Sequence, residues 1–222
     1  MQELIFKNLP VHYRTQLSVT HLTVKTLYEK LKRQVLRPSL PNLEDGKLYL
    51  HLGCGSVNHD KFVNIDGLPA PHIHYIRAID DLSPFKANSV DLIYGSHCLE
   101  HFSHRKVSVV LAEWFRVLKT DGILRLSVPD FDALCKIYQE SGNELDSILE
   151  VLMGRQDYKY NFHMTAFNKS SLTRLLKNAG FREIREWQPG SSELTTFPDF
   201  SNHKIPAKQN YYPISLNLEA IK

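Results

Sequence analysis

A chain of 222 residues with 42% hydrophobic content can bury one sizeable α/β core, and a net charge of only +3 is too small to argue nucleic-acid binding. No run of about 18 apolar residues marks a spanning helix, and Met1-Gln2-Glu3-Leu4 lacks the layout of a secretion signal. Cys54, Cys98 and Cys135 have neither metal-ligand spacing nor disulfide density, so reduced thiols and a cytoplasmic location are expected.

The positive charge is uneven. Residues 1–47 carry eight Lys/Arg against four Asp/Glu, whereas the remainder carries 19 against 20. The excess belongs to an N-terminal helical extension, residues 1–46, ahead of a domain at 47–222. Within the extension, residues 17–36 repeat with helical spacing. Val24, Leu27, Leu31 and Val35 share one face, and Lys25, Lys30, Lys32 and Arg33 lie mostly elsewhere. Pro38 and Pro41 end the helix. It packs its apolar stripe on the domain or, alternatively, makes a weak membrane-surface contact through its basic face.

From Leu48 the pattern alternates strand and helix, as in a parallel sheet. Strands are predicted at 48–52, 62–65, 73–76 and 90–94. An amphipathic helix follows at 104–118, stopped by Thr120-Asp121-Gly122, and a fifth strand at 123–128. Helices are predicted at 130–139, 144–153 and 171–179, and two closing strands at 181–187 and 214–221. The aromatic, proline-bearing segment 188–212 reads as a lid or substrate wall. Only nine residues separate Leu52 from Phe62, too few for the helix that normally crosses between parallel strands. The extension is therefore expected to cover the sheet face left bare.

The chemistry centres on Leu50-His51-Leu52-Gly53-Cys54-Gly55-Ser56, a buried strand running into a small-residue turn. Such a turn lets a ligand approach bare backbone N–H groups. Asp66, followed by Gly67, ends the next strand, where a carboxylate can hold ribose hydroxyls. Eleven histidines offer side chains that titrate near neutral pH. Asp157 and His163 could be mistaken for a metal pair, but spacing places no third ligand, and no metal is expected.

Four stretches in order carry a family resemblance: Leu50 to Ser56; Asn64-Ile65-Asp66; Ser89 to Phe102, with its Ser96-His97-Cys98-Leu99-Glu100-His101-Phe102; and Glu113 to Leu124. Together they resemble the class I S-adenosylmethionine-dependent methyltransferases. Ser127 to Phe131 and Asp157 to His163 look most like a small-molecule branch linked to surface-polysaccharide biosynthesis. The resemblance implies a Rossmann-like α/β fold: a mostly parallel seven-stranded sheet with an antiparallel last strand, here with a shortened first crossover. It implies S-adenosylmethionine as cofactor. Gly53, Cys54, Gly55 and Ser56 would run beneath its methionine and ribose parts, and Asp66 and Gly67 would meet the ribose. Asp80 or Asp81 would meet adenine, and Ser96 and His97 the methionine part. His163 is favoured as substrate contact or base, with His101 the alternative; Asp130, Tyr158 and Asn161 are further substrate-side candidates. The implied acceptor is a small polar molecule, a sugar hydroxyl among the options, with no nucleic acid as partner. Two rivals remain at this stage. One is a nucleotide-dependent oxidoreductase, disfavoured by the missing third glycine of Gly-x-Gly-x-x-Gly. The other is a non-catalytic binding module on the same fold.

Overall fold

The structure, a computed structural model, describes residues 11–36, 38–41, 46–192, 194 and 197–222, with the side chains of 11–21 and 34 left out. After helix α1 (Val11–Val35), the chain lays down β1 (Tyr49–Leu52), β2 (Val63–Asp66), β3 (Tyr75–Ile76) and β4 (Val90–Ser96). A 3-10 turn at Leu99–His101 leads to α2 (Val107–Val117), β5 (Leu118–Pro129), α3 (Phe131–Glu140), α4 (Leu149–Met153) and α5 (Lys169–Asn178). Strand β6 (Glu183–Glu186), a hairpin of β7 (Lys204–Ala207) and β8 (Asn210–Pro213), and β9 (Ser215–Ile221) complete it.

The seven-stranded sheet has the order β3-β2-β1-β4-β5-β9-β6. Its first five strands are parallel, and β9 runs antiparallel between β5 and β6. The reversal between β1 and β4 creates a crevice at their carboxyl ends, where ligands of open α/β sheets gather. Strands β1 and β2 are buried along almost their whole length, as expected when both faces of a parallel sheet are covered.

Helix α2 shows why one face is covered as it is. Val107, Val110, Leu111, Trp114 and Val117 recur at helical spacing and are all buried. The Trp114 indole N–H, buried with them, donates to the Ile79 carbonyl at 2.8 Å. Helix α5 starts at a capping box in which Asn168 and Ser171 satisfy each other's backbone N–H groups.

No helix separates β1 from β2, as the nine-residue gap requires. The described part of the N-terminal extension does not replace it. Val24, Leu27, Leu31 and Val35 are each more than half exposed. Helix α1 is instead tied beside β3 by Arg33, which donates to the carbonyls of Ile73 and Ala70, both at 2.9 Å. The bare face is covered from the other end of the chain. Phe197 stacks on His51 at 5.0 Å and packs on Phe62 and Tyr94, with Trp187 and Leu194 beside it. The segment after β6, read from sequence as a lid, thus does the work of the missing helix. Its remainder forms the β7–β8 hairpin, whose Ala207 and Ile205 join Leu134, Ile137 and Ile214 over α3. The predicted break at Thr120–Gly122 is absorbed within β5 as a register shift between Val90 and Leu92.

On β5, β9 and β6, Arg125 and Arg185 share Glu219. Each arginine uses one carboxylate oxygen, so the buried anion is fully paired. Among the described residues no helix is long and apolar enough to cross a membrane. All three cysteines are free thiols.

Candidate cofactor and acceptor site

The turn after β1 has the backbone its sequence predicts. Gly53 and Gly55 have φ of +63° and +54°, the left-handed region that favours glycine. At Gly53 a Cβ would also meet the Cβ of Cys98 at 2.8 Å, so the strand β4 exit packs directly on the turn. At Gly55 a Cβ would meet nothing within 4 Å: that side is open. Ser56 is exposed beside it, and Cys54 is buried beneath, its thiol pushed well up by burial and by Asp66.

Asp66 joins the turn to the end of β2. Its carboxylate accepts from the Gly55 N–H at 2.9 Å and from the Leu68 N–H at 2.8 Å. A carboxylate has about four acceptor positions, so two hydrogen bonds orient Asp66 without exhausting it. His72 completes the ring by bonding the Gly55 carbonyl at 2.9 Å. Tyr160 leans over Gly67, its ring 3.2 Å from where a Cβ would stand, so the 155–164 segment closes over the end of β2.

Strand β4 ends at Ser96, whose Oγ is buried and has no hydrogen-bond partner. His97 follows with φ of +49°, a conformation uncommon for a residue with a side chain. That kink turns the chain into the Leu99–His101 turn and points four ionisable side chains together. His97 Nδ1 and His163 Nε2 face Glu100 Oε1 at 3.4 and 3.9 Å. The His101 and His163 rings lie 5.0 Å apart, edge to face.

Glu100 is fully buried, and neither of its carboxylate oxygens has a hydrogen-bond partner. Burial pushes its pKa up to about 8. Burial also drives His97 down to about 3 and His163 to about 4, with neighbouring imidazoles adding to both shifts. His101 is lowered by burial, against the pull of two carbonyls.

The tautomers follow from the partners. Ser215 gives its hydroxyl hydrogen to the Phe200 carbonyl at 2.7 Å, so it accepts from His97 Nε2 at 2.8 Å and leaves Nδ1 as a lone pair. His163 Nδ1 donates to the Val151 carbonyl at 2.9 Å, which leaves Nε2 as a lone pair. Two lone pairs therefore aim at one unpartnered carboxylate.

Most predicted positions meet at the carboxyl ends of β1, β2 and β4: Gly53, Cys54, Gly55, Ser56, Asp66, Gly67, Ser96 and His97, with His101 and His163 alongside. Others stand apart. Asp80 forms an ion pair with Lys106. Asp81 is exposed and pairs with Arg77 at 3.1 Å, where Ser83 helps hold its carboxyl below the usual range. Asp130 caps α3 by accepting from the Asp132 N–H, and Asn161 bonds Asp157 within its own loop, so both serve local structure. Asp157 is thereby separated in role from His163. Sequence reasoning assigns Glu100 no role; the available signal is an acidic residue between Leu99 and His101 just past a buried strand.

The residues fit an S-adenosylmethionine ligand on three counts: the open glycine turn, an oriented carboxylate beyond it, and the orphaned Ser96 hydroxyl at the neighbouring strand end. Residues 58–126 match the family model described as a methyltransferase domain. Among curated relatives, the ubiquinone/menaquinone biosynthesis C-methyltransferase UbiE of Vibrio campbellii is 26% identical over 121 residues, covering 51% of this chain and 46% of that protein. Its Vibrio vulnificus counterpart is 27% identical over 117 residues, covering 50% and 44%. The chain thus spans less than half the length of these relatives. Two solved structures share the fold at a TM-score of 0.50. A SAM-dependent methyltransferase from Archaeoglobus fulgidus is 13% identical, with 89% of this chain and 94% of that one covered. The 1,6-didemethyltoxoflavin-N1-methyltransferase of Burkholderia thailandensis, solved with bound 1,6-didemethyltoxoflavin and S-adenosylhomocysteine, is 16% identical, with 80% and 72% covered. Sheet order, glycine turn and these matches agree: the chain has the Rossmann-like class I methyltransferase fold, and its residues 58–126 are similar to the methyltransferase-domain family.

Proposed function

We propose that this protein transfers a methyl group from S-adenosylmethionine to a hydroxyl of a small polar acceptor such as a sugar. The observation that carries the reading is Asp66 held by the Gly55 amide, which fixes a carboxylate across the mouth of an unobstructed glycine turn. When bound there, the cofactor supplies a methyl group on a sulfonium, an electrophile that needs only an aligned nucleophile.

Each residue then has a task. Gly53 to Ser56 offer backbone in place of side chains, and Asp66 accepts from ribose hydroxyls through its unused acceptor positions. Tyr158 and Tyr160, beside Asp66 and Gly67, exclude water from the sugar edge of the cofactor. The acceptor side is lined by His101 and His163, with Tyr158 and Tyr160 nearby. Phenol and imidazole groups of this kind suit hydroxyl ligands better than a greasy ring, which favours a sugar over an apolar acceptor. His163 has one ring nitrogen on Val151 and the other turned to Glu100. The two ring nitrogens of His101 face the carbonyls of Phe162 and His97, both at 3.1 Å. Both are therefore positioning residues in this arrangement rather than free bases.

The test is calorimetric titration with S-adenosylhomocysteine, followed by incubation with methyl-labelled cofactor and a panel of sugars and sugar nucleotides. Saturable binding lost in Asp66→Ala, and label on a sugar oxygen, are the expected results. Label on carbon, as the names of the curated relatives would suggest for them, would replace the hydroxyl reading; no binding at all would leave a non-catalytic module.

A further inference from the structure

We propose that Glu100, His101 and His163 form a mononuclear site for a first-row divalent metal ion such as Zn2+. Nothing in the fold requires this group, and sequence spacing did not reveal it. The Leu99–His101 turn supplies two donors, and the 155–164 segment brings the third from sixty residues away.

Four observations converge. First, one donor atom from each of Glu100, His101 and His163 lies within 4.8 Å of the others. Donors bonded at about 2.1 Å around a tetrahedral ion stand about 3.4 Å apart, so a small inward movement completes the site. His163 Nε2 and Glu100 Oε1 stand 3.9 Å apart, and the widest of the three separations is at most 4.8 Å. Second, Glu100 is 0% exposed with both oxygens unpartnered, an arrangement that is costly unless a cation or proton completes it. Third, the tautomer of His163 is fixed by Val151 so that its lone pair, not an N–H, points at that carboxylate. Metal-bound histidines are held in this way, with the second ring nitrogen on a carbonyl or carboxylate.

The fourth concerns His101. A neutral imidazole has a single N–H, yet both nitrogens of this ring face carbonyls at 3.1 Å. One lone pair is therefore misplaced against a carbonyl, while a nitrogen of the same ring lies within 4.8 Å of the Glu100 and His163 donor atoms. Two imidazoles and one carboxylate suit Zn2+, Fe2+ or Co2+ better than Mg2+ or Ca2+. A fourth position would remain for water or, if the methyl-transfer reading holds, for the acceptor hydroxyl. Bound there, the hydroxyl would release its proton to solvent at lower pH, as metal-bound water does. That would remove the need for a free base.

The test uses the untagged 222-residue chain. After chelator treatment and its removal, Zn2+ is titrated by calorimetry, and Co2+ is added to a second sample to read its visible absorption. One Zn2+ per chain and a Co2+ spectrum of a low-symmetry nitrogen–oxygen site are expected. Glu100→Gln and His163→Ala should each weaken Zn2+ binding by more than the roughly 10–100-fold typical of groups that only support a ligand. His104→Ala, an exposed histidine outside the site, should bind as the parent does. Circular dichroism confirms that each variant folds. Absence of Zn2+ binding by the parent protein, undiminished binding by both site variants, or loss in His104→Ala would each overturn the proposal. Metal binding without affinity for S-adenosylhomocysteine would leave the site standing and remove the methyl-transfer reading instead.

Discussion

Acid should destabilise this protein partly through a single histidine that is not one of the proposed metal ligands. His51 is 2% exposed on β1, with Phe62, Tyr94 and Phe197 rings 5.9, 5.1 and 5.0 Å away, and its Nδ1 has no hydrogen-bond partner. Burial first, then the charges of His59 and His72, lower its pKa to about 3. The unfolded chain takes up that proton near pH 6.5, whereas the folded chain refuses it until about pH 3. Stability from this group is therefore complete above pH 6.5 and falls steadily as pH drops toward 3. At about 1.36 kcal/mol per pH unit, moving from pH 6.5 to pH 5 costs about 2 kcal/mol. The assay is urea unfolding at pH 7 and pH 5 for the parent and for His51→Leu, which keeps the apolar contacts and cannot charge. The other buried histidines contribute equally to both proteins, so the difference between the two pH effects isolates His51. The parent should lose about 2 kcal/mol more than the variant. Equal losses would show that His51 is hydrated in the native state and refute the burial argument.

Replacing Asp66 with Asn keeps the size of the side chain and removes its charge. Hydrogen bonds to charged groups contribute about 1.5–3 kcal/mol, so calorimetry should show S-adenosylhomocysteine binding weakened by roughly 10- to 150-fold. Gly53→Ala combines a left-handed φ with a Cβ placed 2.8 Å from the Cβ of Cys98. It should lower stability by about 2 kcal/mol or more, and adding Cys98→Ser should not rescue it because the clash is with Cβ and not the sulfur; urea unfolding of both variants decides. Phe197→Ala partly uncovers the β1–β4 face and, because the ring is only partly buried, should cost about 1–3 kcal/mol, read from the same unfolding curves; a change under about 0.5 kcal/mol would mean the segment does not cover that face.

The parts of the fold that were readable from sequence are those fixed by local pattern. The alternation of strands and helices, the glycine turn, Asp66 and the absent crossover helix all follow from spacing within a few residues. What sequence misassigned depends on long-range packing. The stripe Val24, Leu27, Leu31, Val35 has helical period, but period cannot say whether a partner exists, and among the described residues the stripe stays more than half exposed. Residues 188–212 hid a hairpin because Pro206 and Pro213 sit in its two strands, and proline argues against a strand unless the strand lies at an edge. Glu100 was invisible as a functional group for a similar reason. Its isolation arises from what surrounds it in space, and spacing along the chain says nothing about which buried carboxylates lack a partner.

The shortened crossover and the histidine cluster are physically linked. Because no helix covers the face of β1 and β4 that carries His51 and Tyr94, the segment after β6 crosses it, and Asp199 anchors it by accepting the Tyr94 hydroxyl at 2.5 Å. Asp199 also caps the turn Phe200–Asn202, which sets the Phe200 carbonyl where Ser215 can donate to it. Ser215 is then obliged to accept from His97, and that choice fixes the lone pair facing Glu100. A compensation for a missing helix thus decides a tautomer at the carboxyl edge of the sheet. Nitrogen-15 NMR of the imidazoles tests the chain of cause directly. In the parent protein near neutral pH, His97 should carry its proton on Nε2, and Ser215→Ala should release that preference while leaving His163 protonated on Nδ1. A parent protein with His97 protonated on Nδ1 would break the link between the covering segment and the site.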